Sequence, residues 1–163
     1  MTLEAFEIAK ASGVITVLNP APGSKISDDL LEITDIIVPN ETESAITTGI
    51  PVNSEVAMNK TATYFKNKGV NIILITLGSK GVYYSTKSKH GLVSAYKVNA
   101  VDTTGAGDTF IGAMCSVLNP DLSNIYSGIM YGEQASSIAV QKLGAQPSIP
   151  TKAQVEEIYG KEK

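Results

Sequence analysis

Short runs of apolar, β-branched residues between helical patterns constrain the fold of this 163-residue chain most strongly. Three such runs lie at 14–18, 36–38 and 72–76, and none of them alternates apolar with polar residues. Strands of this kind are typical of parallel sheets that are covered on both faces. Because the segments between the runs carry helical periodicity, the sequence predicts an α/β architecture.

The rest of the chain extends this α/β pattern. Further predicted elements are helices over 3–10, 54–68, 110–118, 123–143 and 152–159, and an antiparallel strand pair formed by 82–85 and 92–98. Gly69 and the Asn119–Pro120 pair are helix stops. No repeat, low-complexity tract or linker interrupts the pattern, so we expect residues 1–163 to form a single three-layer domain.

Residues 102–110, DTTGAGDTF, place two carboxylates on either side of a glycine turn that opens a helix. A helix start has about four backbone N–H groups without internal partners and a partial positive charge, so it stabilises an anion such as phosphate. Gly105 and Gly107 let the backbone approach a ligand closely. Asp108, in the first turn, is placed to accept a proton from an attacking hydroxyl, and Asp102 is placed to hold a substrate hydroxyl.

The structural alternative for this turn is that Asp102 or Thr104 only caps the helix, with the glycines making a tight entry. A lone G-x-G would favour that alternative. A nine-residue string with two acids at fixed offsets is more specific, and it favours a phosphate-binding and catalytic role.

Three other segments carry polar or glycine patterns. Each can be interpreted either as a structural feature or as a ligand-binding one. Asn40 followed by Glu43 reads as a capping box, but its place after a strand end is also where α/β sheets bind ligands. Thr76–Gly81 is either a plain strand exit and turn or a phosphate-binding loop in which Lys80 supplies the charge. Gly144–Ser148 ends a helix whose terminal carbonyl oxygens suit a hard monovalent cation.

These segments together resemble the ribokinase-type (PfkB) family of sugar kinases. Residues 102–110 resemble the family's C-terminal signature, and Leu18–Pro22 (LNPAP) resembles its Asn-Pro-Ala-Pro segment. Asn40–Glu43 resembles the family's N-x-x-E motif, and Gly144–Ser148 (GAQPS) resembles its cation loop. The four segments occur in the family's order and span nearly the whole chain.

This resemblance implies a three-layer αβα Rossmann-like fold of the ribokinase type. Family members are much longer, and their N-terminal half supplies most sugar contacts and a small β-sheet lid that is not recognisable here. The chain is therefore expected to be the C-terminal portion, whether as a truncated gene model or as a split product, with the lid domain absent.

The resemblance also implies ATP-dependent phosphorylation of a sugar hydroxyl, most simply D-ribose to ribose 5-phosphate. Asp108 would act as the base and, with Asp102, bind the sugar, while backbone amides of Gly105, Ala106 and Gly107 would receive the developing charge. The implied nucleotide contacts are Asn40, Thr76, Leu77, Gly78, Ser79, Lys80, Gly81, Gly107, Asp108 and Glu133. Mg²⁺ would be held through Glu43, and K⁺ would be bound by oxygens of Asp102, Thr104, Ala139, Lys142, Gly144 and Ser148.

A different class stays open, namely a catalytically silent nucleotide- or anion-binding fragment, or a subunit that needs a separate N-terminal half. A related family kinase that acts on another sugar or on a nucleoside is a further alternative. The open sheet edge left by a missing half would favour self-association into a homo-oligomer.

The composition excludes several other function classes. The net charge is −3 and no apolar run approaches the ~20 residues of a membrane span, so we expect no membrane partner. No secretory signal is recognisable, and we expect a cytoplasmic protein. All 13 basic residues are lysine, which leaves no guanidinium fork and argues against nucleic-acid binding. Cys115 is expected to be a small core residue, and His90 a solvated side chain.

Overall fold

The computed structural model describes residues 1–160, which form a mixed sheet with flanking helices. The helices are α1 (Thr2–Ala11), α2 (Asp28–Glu32), α3 (Glu41–Thr48), α4 (Glu55–Asn67), α5 (Ala106–Val117), α6 (Ile125–Ala139) and α7 (Lys152–Tyr159). The strands are β1 (Val17–Leu18), β2 (Ile36–Ile37), β3 (Ile72–Thr76), β4 (Val82–Ser85) and β5 (His90–Val93). Short 3-10 turns cover Gly78–Lys80 and Gln146–Ser148.

The five strands lie in the order β1-β2-β3-β4-β5. The first three are parallel, with Ile36 opposite both Val17 and Ile72, and β4 runs antiparallel to β3. A further parallel bridge joins Asn40 to Thr76 beyond the end of β2. The predicted α/β architecture and its buried parallel strands are therefore confirmed.

Several element boundaries differ from the sequence-based prediction. The first strand covers only Val17–Leu18 rather than 14–18, because the N–H of Val14 still bonds to the end of α1 at Ala9 and Val14 is exposed. The last strand lies at His90–Val93 rather than 92–98, because Thr86 and Lys89 close a tight turn that starts the pairing earlier. The helix α2 was not predicted.

The long sixth helix is also shorter than predicted, since it ends at Ala139 and not at residue 143. The carbonyl oxygen of Val140 accepts the N–H groups of Val101 and Asp102, at 2.7 and 3.1 Å. The N–H of Gly144, which a continuing helix would direct to Val140, donates instead to the carboxylate of Asp102. Contacts with a distant segment thus replace the last turn of this helix.

The described chain comprises two compact units, Met1–Gly78 with Val82–Leu92, and Ser79–Gly81 with the residues from Val93 onward. The core of the first unit is built by buried residues from the sheet and α4, including Ile37, Ile73 and Phe65. At its edge Asp35 accepts hydrogen bonds from Lys10 and from the backbone of Thr16. The expectation of a single domain over 1–163 stays a prediction, and residues 161–163 lie outside the described part.

The second unit is built on the pair α5 and α6. A Cβ on Gly132 would lie 2.9 Å from the carbonyl oxygen of Phe110, so only glycine permits this close approach of the two helices. A small core of Tyr131, Ala135, Ile138 and Val155 joins α6 to α7. Burial of apolar side chains on these facing stripes is the main stabilising contribution.

The outer face of α5 differs from the expectation that Cys115 lies in the core. Its buried residues are Thr109, Phe110 and Met114, whereas Cys115 is exposed. The prediction that Cys115 is a core residue is therefore wrong, because an apolar run does not reveal which side of the helix has a neighbour. Among residues 1–160, no helix combines the length and the apolar character needed to cross a bilayer.

Candidate active site

The glycine turn of 102–108 has the geometry of an anion-binding helix start. The N-cap of α5 is Gly105, in the left-handed region with φ 76°, and no side chain caps the helix. The N–H of Ala106 is engaged, since it donates to the carbonyl oxygen of Thr103 at 3.1 Å. Among the described residues, no acceptor bonds to the N–H groups of Gly107 and Asp108. Two donors at the positive end of a 12-residue helix are thus available.

The surroundings of this turn are open. A Cβ on Gly107 would meet no heavy atom of the described residues within 4 Å, apart from atoms of its own helix and its chain neighbours. Asp108 is exposed, and no hydrogen-bond partner for its carboxylate exists within residues 1–160. A phosphoryl group and a hydroxyl can therefore reach the same turn, which is what proton abstraction coupled to phosphoryl transfer requires.

The other carboxylate of the motif, Asp102, is already engaged. One oxygen accepts the N–H of Thr104 and the other accepts the N–H of Gly144, each at 2.9 Å. Hydrogen bonds from Thr104, and then from Gly144, lower the pKa of Asp102 to about 2. The side chain is therefore ionised at neutral pH, and it joins the anion turn to the segment that follows α6.

Further contacts hold the turn against α6 and the segment that follows it. A Cβ on Gly105 would lie 3.3 Å from the Cβ of Ala145, and the hydroxyl of Ser136 donates to the carbonyl oxygen of Ala106 at 3.2 Å. Ser148, almost fully buried, donates from both its hydroxyl and its N–H to the carbonyl oxygen of Ala145. Neither Ser136 nor Ala145 was predicted as a site residue, although Ala145 lies within the predicted cation loop 144–148 and no sequence pattern marks Ser136.

The residues predicted to bind a cation are partly brought together by these contacts. Asp102 and Gly144 touch directly, although Gly144 presents its N–H and not its carbonyl oxygen. The carbonyl oxygen of Ala139 accepts the N–H of Lys142 at 3.1 Å. Among the described residues, no group of three or more His, Cys, Asp or Glu side chains has the arrangement of a metal cluster.

Glu133, predicted to approach the adenine, is only 8% exposed on α6. Its burial raises the pKa of the carboxyl from 4.5 to about 7. A carboxyl in this environment is partly protonated at neutral pH, so it can donate as well as accept a hydrogen bond.

In the first unit, Asn40 and Glu43 form the capping box that the sequence predicts. The side chain of Asn40 accepts the N–H of Glu43, and the Glu43 carboxylate accepts the N–H of Asn40, both at 2.8 Å. Glu43 is buried, whereas Asn40 is exposed at the carboxyl end of the parallel strands. This end of such a sheet is the usual ligand edge, so the capping and the ligand-binding interpretations are compatible.

The predicted nucleotide loop 76–81 contains the 3-10 turn Gly78–Lys80. Gly81 has φ 104°, and a Cβ there would lie 1.9 Å from the carbonyl oxygen of Val93. Packing against Val93 therefore accounts for the glycine at 81 without any ligand. Gly78 has φ 56° and open space where a Cβ would project, so its backbone is accessible.

A loop that the sequence marked only as a family motif lies against the capping box. The side-chain amide of Asn19 donates to the carbonyl oxygen of Val38 at 3.0 Å. Further along, a Cβ on Gly23 would lie 3.1 Å from the Cα of Glu43. Neither Asn19 nor Gly23 was predicted as a site residue.

Comparisons with known proteins relate most of this chain to one family. The profile of the pfkB family carbohydrate kinase matches residues 1–152. This chain belongs to the pfkB carbohydrate kinase family. It is similar to a ribokinase of Staphylococcus aureus, with 52% identity over 156 residues that cover 96% of this chain and 51% of the relative. It is also similar to a deoxyribokinase of Salmonella typhi, with 43% identity over 66% of this chain and 36% of that protein.

The fold of this pfkB chain has counterparts among solved structures. Arabidopsis thaliana ribokinase, complexed with ribose and ATP, superposes with a TM-score of 0.90 at 30% identity, covering 96% of this chain and 51% of the plant enzyme. The predicted Rossmann-like ribokinase fold is therefore confirmed as a partial fold. The chain spans about half the length of the S. aureus relative, 51%, which agrees with the expectation that it corresponds to a portion of such kinases.

Proposed function

We propose that this chain is the nucleotide-binding and catalytic portion of a kinase that transfers the γ-phosphoryl group of ATP to the primary hydroxyl of D-ribose. The observation that carries the proposal is the start of α5, where the N–H groups of Gly107 and Asp108 have no acceptor among the described residues. Family membership and the ribose and ATP complex of the plant relative support the same reaction.

In this reaction Asp108 removes the proton from the ribose hydroxyl. The freed ribose oxygen attacks the γ-phosphorus of ATP. The bond between that phosphorus and the β,γ-bridging oxygen breaks, and ADP leaves. Charge that builds on the transferred group is stabilised by the backbone amides of the turn, for which Gly105, Gly107 and Asp108 are better placed than Ala106, whose N–H is bonded to Thr103. Asp102 acts in this proposal by holding the turn, and its remaining lone pairs are open to the sugar.

The nucleotide is bound in this proposal by two groups of residues. The first is the loop 76–81 with Lys80 as its charge, and the second is the start of α5. Asn40 adds a polar side chain at the ligand edge of the sheet, and Glu133 is the proposed contact to the adenine.

The proposal includes two metal ions, Mg²⁺ and K⁺. The residues present offer oxygen ligands that suit both. One carboxylate oxygen of Glu43 accepts the N–H of Asn40, and the second, which accepts no hydrogen bond among the described residues, is the one proposed to accept a metal-bound water of an indirect Mg²⁺ site. When bound there, Mg²⁺ would neutralise charge on the nucleotide phosphates. For K⁺, the ionised Asp102 with oxygens of Thr104, Ala139, Lys142, Gly144 and Ser148 offers the hard oxygen donors that such an ion prefers.

The sugar contacts that relatives draw from their other half are proposed to come from polypeptide beyond these residues. The edge strand β1 has only two residues, and Ile8 and Val14 nearby are exposed. This edge supports pairing with that half or with a second copy of the chain. We propose a cytoplasmic protein without a membrane or nucleic-acid partner.

A coupled assay of ADP release from ATP, with and without ribose, tests the reaction. We expect weak or absent turnover from residues 1–163 alone and ribose-dependent turnover once an N-terminal half of a ribokinase is added. Asp108→Asn keeps the size of the side chain and should abolish that turnover, with a loss of at least about 100-fold, while ATP binding persists. Equal turnover in the variant would refute the role of Asp108.

A second candidate is a silent nucleotide-binding fragment or subunit. The coverage of only 51% of the S. aureus relative favours it for the isolated chain. ATP binding without ribose-dependent turnover under any complementation would select this candidate over the kinase.

A further inference from the structure

We propose that the loop 19–24 is a positioning element for the start of α3, with Gly23 as the residue that sets the place of Glu43. This inference rests on the proposed function, in which Glu43 helps to hold Mg²⁺ against the nucleotide phosphates. The loop follows β1 and contains no group that reacts, so its role is to place another residue.

Three contacts anchor the loop to the β2–α3 segment. The side-chain amide of Asn19 donates to the carbonyl oxygen of Val38 at 3.0 Å, two residues before the capping box begins. The hydroxyl of Thr47 on α3 donates to the carbonyl oxygen of Ser24 at 3.1 Å. Between these anchors, Gly23 lies against the first turn of α3.

The contact at Gly23 leaves no room for a side chain. A Cβ there would lie 3.1 Å from the Cα of Glu43, and 2.9 and 3.3 Å from the Cδ1 and Cβ of Ile46. The end of the Ile46 side chain can rotate away, because Ile46 is half exposed. The backbone of Glu43 can yield only by moving α3 by a few tenths of an ångström.

Such a displacement acts on the capping box directly. Glu43 accepts the N–H of Asn40 and donates its own N–H to Asn40, both at 2.8 Å, so these two bonds report where the helix start lies. Thr76 bridges to Asn40 from the next strand, which holds the Asn40 end in place. A shift of Glu43 therefore strains the pair instead of moving it as a rigid body.

The first experiment measures ATP binding by the chain with Mg²⁺ and with EDTA. We expect Gly23→Ala to weaken binding of Mg-ATP by about tenfold and binding of metal-free ATP by much less. A loss that is equal in both conditions would overturn the inference, since a general destabilisation does not distinguish the metal. Gly112→Ala is the matched control, because no heavy atom lies within 4 Å of its Cβ position beyond its own helix.

A second variant removes the nearest of the three atoms that face Gly23. Ile46→Val removes Cδ1, so in the double variant with Gly23→Ala the close contacts with the Cα of Glu43 and the Cβ of residue 46, both fixed to α3, remain. We expect the double variant to keep the defect in Mg-ATP binding, and Ile46→Val alone to behave as wild type. Full rescue in the double variant would mean that Gly23 only avoids Ile46, which overturns the inference.

Amide hydrogen exchange gives a readout that does not need a nucleotide. In Gly23→Ala the amides of Asn40 and Glu43 should exchange faster, while that of Ala57, capped by the Ser54 hydroxyl, should not change. If Gly23→Ala fails to fold, Thr47→Val can take its place, because it removes the hydrogen bond to Ser24. The amides of Asn40 and Glu43 should then exchange faster in Thr47→Val. Absence of ATP binding by the wild type would reject the proposed function alone, whereas unchanged exchange at Asn40 and Glu43 would reject the positioning role.

Discussion

The carboxylate of Asp102 accepts the backbone N–H of Gly144 at 2.9 Å, across 42 residues of sequence. The same carboxylate accepts the N–H of Thr104, so one side chain both shapes the anion turn and ties it to the segment after α6. The turn is thereby held in place before any ligand arrives, which is the condition for electrostatic stabilisation of a transition state.

Asp102→Asn should loosen this turn. The amide keeps one acceptor oxygen and turns a donor toward the other N–H, so either Thr104 or Gly144 loses its partner. We expect the melting temperature to fall by ~3 °C at pH 7. Asp121→Asn is the control, because the hydrogen bonds of Asp121 within residues 1–160 are local, to Ser123. A larger fall for Asp121→Asn would contradict the bridging role.

Glu133 should make the free energy of unfolding fall as the pH rises toward neutrality. Burial raises the pKa of Glu133 from 4.5 to about 7, so between these values the folded chain binds more protons than the unfolded chain. Stability is therefore lost as the pH rises from about 4.5 to about 7. Glu133→Gln should stabilise the chain by ~1–2 kcal/mol at pH 8 and by little at pH 4.5.

Urea denaturation at pH 5 and pH 8 checks the prediction for Glu133. The exposed Glu7 provides the control, as Glu7→Gln should give no comparable gain at pH 8. A destabilising Glu133→Gln at pH 8 would contradict this prediction, because the folded state would then have to stabilise the ionised carboxylate.

Gly81→Ala should be severely destabilising. Its Cβ would lie 1.9 Å from the carbonyl oxygen of Val93, at a φ of 104° that favours glycine. We expect a loss of at least ~3 kcal/mol in the free energy of unfolding, or failure to fold. Gly112→Ala, in an open helical position, should be neutral or stabilising by up to ~1 kcal/mol in the same denaturation experiment.

Substitutions at Asn40 test its contribution to the helix cap. Asn40→Ala should cost ~1 kcal/mol of stability, because the N–H of Glu43 loses its acceptor, while Asn40→Asp keeps an acceptor and should cost little. Thr151→Ala, in the capping box of α7, is expected to lose a similar amount. A thermal melt in which Asn40→Asp falls as far as Asn40→Ala would show that the cap is not what Asn40 contributes.

The sequence by itself determined the features that depend on a few neighbouring residues. The buried parallel strands, the capping box of Asn40 and Glu43, and the start of α5 at the glycine turn all follow from patterns within about one or two turns of chain. Family motifs in their order were sufficient to identify the pfkB family, because each motif keeps its residues close together.

Only the tertiary structure decided which distant segments meet. The bond of Asp102 to Gly144, the early end of α6 and the contact of Gly23 with Glu43 join residues that no local pattern relates. Cys115 is exposed for the same reason, since helical periodicity defines faces but not their neighbours. Hydrogen bonding and close packing between remote segments are satisfied jointly, so their outcome depends on the packed chain and not on any single stretch of it.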